Sequence, residues 1–296
     1  MEELAERLGV PIAYLQALNS KISYSYHPKI LVKKGKEREL LVPNQELKTA
    51  QRKILGKVLN FPFPNYVHGG VSERSILTNA TVHLNQKWVM CLDIKNFFPS
   101  VHHEKIYHNF ISLNCSHAVA DALRHFTTYK YQLPQGAPTS PAVANMVLQN
   151  LDQRIFTLCK NQGFTYSRYF DDITISGSKN PKRLLVPCES IIKSQGLRVN
   201  KKPEKLRIVS SMEHQVVTGL LVNGKSLQIP PEKVTEIKES LVKISGGDFS
   251  LFQQIDPVKI KNMFAGYISF LKFVDPRIAK EIEGEFRVIN WDSFVA

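Results

Sequence analysis

The sequence lacks the features that mark membrane and secreted proteins. None of its apolar runs approaches the roughly 18 residues needed to span a bilayer, and its first ten residues, MEELAERLGV, are acidic and lack a signal-peptide core. Its cysteines, at positions 91, 115, 159 and 188, include no CxxC pair. A zinc module is therefore not expected, and reduced thiols in a cytosol are the simpler interpretation. Internal repeats and low-complexity tracts are also missing.

Positive charge is what the chain has in excess. Lysine and arginine number 39 against 26 acidic residues, which gives a net charge of +13 over 296 residues. This balance suggests a polyanionic partner, most simply a nucleic acid and secondarily an anionic membrane surface. Hydrophobic residues make up 43% of the chain, enough to bury a sizeable core and to exclude a disordered protein.

The periodicity of the apolar residues predicts a mixed α/β body up to about residue 229, followed by a helical region. Before residue 100 we expect helices over 2–18 and 45–59, two short strands within 29–42, a loop over 61–72 and a buried strand over 88–94. Ser140 and Pro141 predict the N-cap and first position of a long helix that closes at Gly163. Beyond it we expect a hairpin of 164–169 and 173–177, a helix over 181–195, strands at 197–199, 206–210, 215–222 and 226–229, and helices over 232–244, 257–273 and 276–286.

Three aspartates are the candidates for chemistry. Asp93 ends a buried strand, while Asp171 and Asp172 occupy the tip of the predicted hairpin. If the two strands are neighbours, the carboxylates converge, and such close like charges require a cation. Mg²⁺ suits oxygen ligands, and two such ions would support phosphoryl transfer. The alternative is that the Asp pair is an ordinary polar turn.

A proline-rich loop lies between these acids in the sequence. Residues 133–141, LPQGAPTSP, run directly into the N-terminus of the long helix. Backbone donors at such a site suit a nucleotide or a template strand. The loop alone is weak evidence, but its order between Asp93 and the Asp pair makes the set specific.

Together, LDIKNFFPSV (92–101), LPQGAPTSPAVAN (133–145) and YFDDITISGS (169–178) resemble motifs A, B and C of reverse transcriptases. The resemblance covers roughly residues 26–274 and implies an α+β right-hand polymerase. Its expected domains are an N-terminal helix and fingers over 1–87, a palm over 88–229 that includes part of the fingers at about 105–140, and a helical thumb over 230–296. It also implies that Asp93, Asp171 and Asp172 are the catalytic residues and hold two Mg²⁺ ions.

Four further positions follow from the same resemblance. Phe98 matches the aromatic residue that crowds a ribose 2′-OH and favours dNTPs over rNTPs. Arg38 looks like the arginine that pairs with the triphosphate, and Gln135 looks like the motif B glutamine. Lys205 is similar to the motif D lysine near the leaving pyrophosphate, although the spacing is about two residues longer than usual and Lys202 competes for the role. The alternatives are a core aromatic at Phe98 and a solvated charge at Arg38.

Two short strings resemble retron reverse transcriptases in particular. NATVH, with Asn79 and His83, matches an NAxxH pattern, and Val217, Thr218 and Gly219 match a VTG pattern. The resemblance associates both regions with recognition of a cognate structured RNA. A buried histidine next to a helix cap, and a strand that ends in a glycine turn, are the alternatives. Phe170 departs from the alanine usual in this family.

The function predicted from this resemblance is a bacterial, cytoplasmic, retron-type RNA-directed DNA polymerase. It would copy part of a non-coding RNA into single-stranded DNA from dNTPs, starting at an RNA 2′-OH, and leave a branched RNA–DNA product (msDNA). An accessory effector protein and a role in defence against phage are also expected. The alternatives are a diversity-generating or CRISPR-associated reverse transcriptase, or an RNA-binding protein with a decayed polymerase core.

Overall fold

The fold is taken from a computed structural model that describes residues 1–33, 36–252 and 255–291. The chain begins with two helices, α1 (Glu2–Leu8) and α2 (Ile12–Lys21), followed by a 3-10 turn over Ile22–Tyr24. The single helix predicted over 2–18 is therefore wrong. Gly9 closes α1 in the left-handed region at φ 63°, and Pro11 provides the N-cap of α2, so the apolar periodicity runs through a break.

The next segment forms a long antiparallel hairpin that leads into a helix. Strands β1 (Tyr26–Lys33) and β2 (Lys36–Pro43) pair along their whole length, and α3 (Gln45–Lys57) follows. Asn44 caps α3 because its side chain accepts a hydrogen bond from the Leu47 amide at 2.9 Å. The short helix α4 (Ile76–Thr81) then begins at a capping box formed by Ser75 and Thr78.

A four-stranded antiparallel sheet positions the candidate acids. It contains β3 (Trp88–Asp93), β4 (Thr165–Tyr169), β5 (Asp172–Gly177) and β6 (Arg207–Ser210), in the spatial order β4-β5-β3-β6. Strand β3 is buried at most positions, as its apolar run predicts. It lies between β5 and β6, which places its final residue, Asp93, beside the tip of the β4–β5 hairpin.

Helices pack around this sheet. They are α5 (Phe97–Ser100), α6 (His103–Ser112), α7 (His117–Thr127), α8 (Ser140–Asn161) and α9 (Leu185–Ser194), the last preceded by a 3-10 turn over Pro181–Leu184. In α8 the N-cap is Thr139 rather than the predicted Ser140. Ser140 is the first helical residue, and its hydroxyl donates to the Pro134 carbonyl at 2.6 Å.

The stretch predicted as one strand over 215–222 is a tight hairpin instead. Strands β7 (Val216–Val217) and β8 (Leu220–Leu221) pair with each other across a turn. Thr218 and Gly219 turn the chain with positive φ angles of 46° and 86°. The expected strand over 197–199 is reduced to a single bridge between Val199 and Ile94.

Helices form the C-terminal part, close to the predicted bounds. They are α10 (Pro231–Ser245), α11 (Pro257–Val274) and α12 (Pro276–Arg287). Asp256 and Asp275 cap α11 and α12 ahead of a first-position proline, as the sequence predicts. None of the helices in the described residues is both long and apolar enough to cross a membrane.

Two clusters of buried apolar side chains hold the fold together. The larger combines the N-terminal helices, the sheet and helices α6 to α9. The smaller joins the C-terminal helices to the outer side of β3 and the β7–β8 hairpin through residues such as Val89, Val217 and Leu220. The C-terminal helices are therefore attached to the sheet by apolar burial, which contributes roughly 25 cal/mol per Å² removed from water.

Candidate active site

The three aspartates meet at one edge of the sheet. Asp93 lies directly opposite Asp172 in the β3–β5 register, and the amide of Ile94 donates to the Asp171 carbonyl at 3.0 Å. Directly opposed residues of an antiparallel pair have Cβ atoms about 4.5–5.5 Å apart. The hairpin tip and the end of the neighbouring strand therefore bring the carboxylates together, as the sequence predicts.

Asp93 is the most buried of the three and has two side-chain partners. Only 4% of the residue is exposed. Its Oδ1 accepts from Asn200 Nδ2 at 2.9 Å, and its Oδ2 accepts from Lys205 Nζ at 2.5 Å. The Asn200 backbone amide also donates to the Asp93 carbonyl at 2.8 Å, so the two residues are joined by backbone and side chain. A buried carboxylate is thus compensated by a cation and an amide.

The electrostatics of the site reflect burial first and the closeness of the three acids second. Partial burial, followed by the like charges of Asp171 and Asp93, raises the pKa of Asp172 to about 6, against the lowering effect of Lys205 and Arg207. Burial lowers the pKa of Lys205, but the bond to Asp93 and the charges of Asp93, Asp172 and Asp171 together outweigh burial and raise the pKa above its usual value. Lys205 is therefore a fixed cation at neutral pH.

These residues fit a divalent cation. Carboxylate oxygens are the ligands that hard divalent ions prefer, and burial together with the charges of Asp171 and Asp93 raises the pKa of Asp172, a cost to its ionised form that a bound cation would relieve. The three aspartates do not form a closed set of metal ligands, however. Within the described parts of the chain, only His102, His103 and Glu104 form a group of three ligand-type side chains whose ligand atoms all lie within 4.8 Å of one another. The three aspartates are more widely spaced than that. Asp93 is instead engaged by Asn200 and Lys205.

Two candidate nucleotide-binding residues, Lys205 and Arg38, lie in different parts of the structure. Lys205, and not Lys202, contacts Asp93; Lys202 is exposed, and its carbonyl accepts from the Lys205 amide at 2.8 Å. Arg38 lies in β2 opposite Leu31, but its side chain falls outside the described part of the structure. The roles of Lys205 and Arg38 toward a nucleotide stay predictions.

The loop before α8 is attached to the N-terminal hairpin. The carbonyl of Gln135 accepts from the Leu41 amide of β2 at 2.8 Å, and the Gln135 side chain is half-buried. Gly136 follows with φ 126°, and a Cβ there would lie 3.1 Å from the Leu41 carbonyl oxygen. Only glycine suits this position. The loop therefore couples β2 to the start of α8.

Phe98 lies close to the hairpin tip. Its ring is half-buried, 5.3 Å from the Phe97 ring and 6.4 Å from the Phe170 ring, measured between centroids. Phe170, the residue before Asp171, has φ 53° and packs against Gly69 and Gly70. Phe170, which stands where the family usually has alanine, therefore lies in the same aromatic surroundings as Phe98.

The NAxxH residues are in the interior. Asn79 and His83 are fully buried, and the two ring nitrogens of His83 contact the hydroxyls of Ser176 and Ser167 at 2.7 Å each. The Ser167 hydroxyl also donates to Asn79 Oδ1 at 2.9 Å. Burial lowers the pKa of His83 to about 3, so the ring is neutral. These side chains connect α4 to the β4–β5 hairpin, and neither is available for direct contact with RNA.

The VTG residues border the candidate site. Val217 is buried, whereas Thr218 and Gly219 line a cleft of about 340 Å³ whose other walls include Tyr169, Asp172 and Lys205. Thr218 adopts φ 46°, unusual for a β-branched residue, and its hydroxyl donates to the Ile76 carbonyl at 3.0 Å. The turn therefore forms one wall of the cleft beside Asp172.

Three residues near the acids were not anticipated from the sequence. Asn200 binds Asp93, and Arg168 forms a buried ion pair with Asp152, Nη2 to Oδ2 2.7 Å. The sequence offers two signals for the ion pair. Arg168 is a charged residue inside a β-rich run, and Asp152 is an acid next to the periodic apolar residues of α8. A buried charge of either sign requires a partner, but the sequence does not say which one.

Comparisons with known proteins agree with this geometry. Residues 28–240 match the family model described as reverse transcriptase (RNA-dependent DNA polymerase). The chain is 32% identical to the retron Ec86 reverse transcriptase of Escherichia coli over 94% of this chain and 85% of that protein. It is 34% identical to the retron Mx162 reverse transcriptase of Myxococcus xanthus, over 79% of this chain and 55% of that protein.

A solved structure shares the fold. The structure of telomerase from Candida albicans, in complex with a fragment of telomeric RNA, superposes with a TM-score of 0.51 at 13% identity. The match covers 90% of this chain and 59% of that one. The α+β polymerase fold predicted from the motifs is therefore confirmed.

Proposed function

This chain belongs to the retron reverse transcriptases, and on that premise we propose that it copies part of a cognate structured non-coding RNA into single-stranded DNA. It is an RNA-directed DNA polymerase. Synthesis starts at a 2′-OH of the RNA, and the product is branched RNA–DNA. The observation that carries the proposal is the register of Asp93 opposite Asp172, next to Asp171 and beside Lys205.

The catalytic roles follow from the positions of these side chains. Asp93, Asp171 and Asp172 would hold two Mg²⁺ ions. When bound, the ions lower the pKa of the attacking hydroxyl and stabilise the leaving pyrophosphate. Asn200 and Lys205 orient the Asp93 carboxylate, and Lys205 keeps a proton on Nζ close to where charge develops on the pyrophosphate. Arg38 and Gln135 are proposed to bind the incoming nucleotide.

Phe98 is proposed to exclude ribonucleotides. Its half-buried ring lies near the hairpin tip that carries the acids, where it would contact the 2′-OH of an rNTP. We expect Phe98→Ala to raise the ratio of rNTP to dNTP incorporation at least tenfold, about 1.4 kcal/mol of discrimination. Unchanged discrimination in a folded variant would remove this role.

Recognition of the RNA is proposed to involve both retron strings in different ways. Thr218 and Gly219 border the catalytic cleft and can contact nucleic acid directly. Asn79 and His83 would act indirectly, since they are buried and connect α4 to the palm. The net charge of +13 supports binding to the RNA backbone.

The wider biological context is proposed from the family resemblance. We expect the enzyme to act in the bacterial cytoplasm with an accessory effector protein, in defence against phage. Deletion of the coding sequence from its host should increase phage plaque formation, and Asp172→Asn should not restore protection. Equal plaque counts with and without the coding sequence, across a panel of phages, would contradict the defence role.

The branched product is the feature that tests the proposal. The protein should be purified from its native host, and the co-purifying nucleic acid should be treated with RNase, DNase or debranching enzyme. We expect a species that shortens with RNase, remains DNase-sensitive, and loses its RNA–DNA joint on debranching. Asp171→Asn/Asp172→Asn should bring down RNA without DNA. DNA with a free 5′ end would instead indicate another class of bacterial reverse transcriptase.

A further inference from the structure

The β4 strand contains a fully buried arginine. Arg168 has 0% of its surface exposed and forms a bidentate pair with Asp152 of α8, with Nε to Oδ1 and Nη2 to Oδ2 both at 2.7 Å. Burying two charges is costly, and apolar side chains of similar volume often stabilise a fold equally well. The pair therefore invites a functional explanation.

A third nitrogen of the guanidinium extends the contact to the catalytic hairpin. Arg168 Nη1 donates to the carbonyl of Phe170 at 2.8 Å. Phe170 immediately precedes Asp171 and has φ 53°, a left-handed conformation that costs a bulky residue about 1–3 kcal/mol and persists only where its surroundings enforce it. The arginine thus supplies a charged donor to the strained residue at the tip.

The backbone around Arg168 is fixed from the opposite side. Its amide donates to the Tyr66 carbonyl and its carbonyl accepts from the His68 amide, both at 2.8 Å. The same segment then reaches the tip, where a Cβ at Gly69 would lie 2.4 Å from the Phe170 amide nitrogen. The guanidinium is therefore held in one position relative to the tip.

We infer that Arg168, held by Asp152, is a positioning residue for DNA synthesis. It stabilises the left-handed turn at Phe170 from which Asp171 and Asp172 project. Because Asp152 belongs to α8, which begins at the Gln135 loop, the pair also ties the hairpin tip to the nucleotide-binding loop. The inference rests on the proposed catalytic role of the two aspartates. Lysine cannot replace the arginine, since a single ammonium cannot reproduce its planar, multiply donating geometry.

The test is a comparison of Arg168→Lys with Tyr166→Phe. Tyr166 donates to the same Asp152 Oδ1 at 2.5 Å and does not bond Phe170, so it is a matched control. For each variant we would measure thermal unfolding, the Kd for a primed RNA template, and the single-turnover rate of dNMP addition. We expect Arg168→Lys to keep Kd within about twofold and to lose at least about tenfold in rate, because small displacements of reacting groups are costly. Tyr166→Phe should stay within about threefold of the parent rate, since its bond does not reach the tip.

A second substitution separates positioning from general stability. Glycine adopts φ 53° without strain, so Phe170→Gly should make the tip less dependent on Arg168. In a double-mutant cycle, Arg168→Lys should therefore cost less rate in the Phe170→Gly background than in the parent. Equal losses in both backgrounds would overturn the inference, as would a rate for Arg168→Lys equal to that for Tyr166→Phe.

The remaining outcomes are also decisive. If Arg168→Lys does not fold, Asp152→Asn is tested instead. We expect it to lose at least about tenfold in rate, and to lose less in the Phe170→Gly background than in the parent. Failure of both variants to fold would assign the pair to stability alone and overturn the inference. Asp171→Asn and Asp172→Asn are measured alongside. If they retain activity, the proposed active site is wrong; if they are inactive while Arg168→Lys is fully active, only the positioning role is wrong.

Discussion

The predicted palm (88–229) and the predicted thumb (230–296) use charge in opposite ways. In the palm, Arg168 and Asp152 are 0% and 2% exposed at their side chains, and the buried hydroxyls of Ser167 and Ser176 bond the neutral ring of His83. In the thumb, Lys238 pairs with Glu281 at side-chain exposures of 30% and 52%. The thumb helices are held by apolar residues such as Leu271, with their ion pairs at the surface.

This difference reflects what each region has to hold in place. The palm must keep two strand ends and a left-handed turn in one arrangement, and directional bonds in a dry environment give that precision. The thumb must pack against the palm, for which non-directional burial is sufficient. Removing a charge should therefore matter most in the palm, and removing apolar volume should matter most in the thumb.

The largest expected effect on stability comes from breaking the buried pair. Asp152→Ala leaves the Arg168 guanidinium without its carboxylate, which should lower the free energy of unfolding by about 3–5 kcal/mol. Chemical denaturation followed by circular dichroism would measure this loss. A loss below about 1 kcal/mol, typical of a surface pair, would remove the contrast between the two regions.

In the thumb, a cavity should be the most damaging change. Leu271 is fully buried in α11, and Leu271→Ala should lower the free energy of unfolding by about 2–5 kcal/mol through lost burial and an unfilled cavity. The rate of single dNMP addition on a bound template should change little, because the palm residues stay in place. A large loss of rate with full RNA binding would show that thumb packing also controls the chemistry.

The buried histidine predicts a pH dependence of stability. The pKa of His83 is about 3 in the folded protein, against 6.5 for an unperturbed histidine side chain. Between these values the unfolded chain takes up a proton that the folded protein refuses, so stability falls as the pH falls through that window. His83→Gln should make the decline from about pH 6.5 to about pH 4.5 shallower by up to about 1.4 kcal/mol per pH unit. Urea unfolding at three pH values would test this, and parallel slopes would contradict it.

The smallest effect is expected at the thumb surface. Lys238→Ala removes a partly exposed pair with Glu281 at 2.5 Å and should cost no more than about 1 kcal/mol at low salt. The cost should shrink further at about 1 M salt, because screening weakens exposed pairs. A cost above about 3 kcal/mol that persists in high salt would place this pair in the same class as Arg168–Asp152.

The sequence predicted the elements whose signals are local. The α11 and α12 helices begin at Asp-Pro caps, and short apolar runs next to the acids indicate the strands that carry Asp93 and Asp172. Long-range partners carry no local signal, which is why the contacts of Asn200 and Arg168 were missed. The sequence predicts a strand over 215–222 because Thr218 is a strand former, but Thr218 adopts a left-handed turn at φ 46°.

Single-turnover addition of one dNMP to an RNA-templated primer by Asp172→Asn tests the central assignment most directly. Asp121→Asn, which changes a surface acid with a side chain 58% exposed, is the matched control. We predict a rate below about 1% of the parent for Asp172→Asn, equivalent to about 2.7 kcal/mol of transition-state stabilisation, and a parental rate for the control. A folded, RNA-bound Asp172→Asn protein with the parental rate would contradict the catalytic role of the three aspartates.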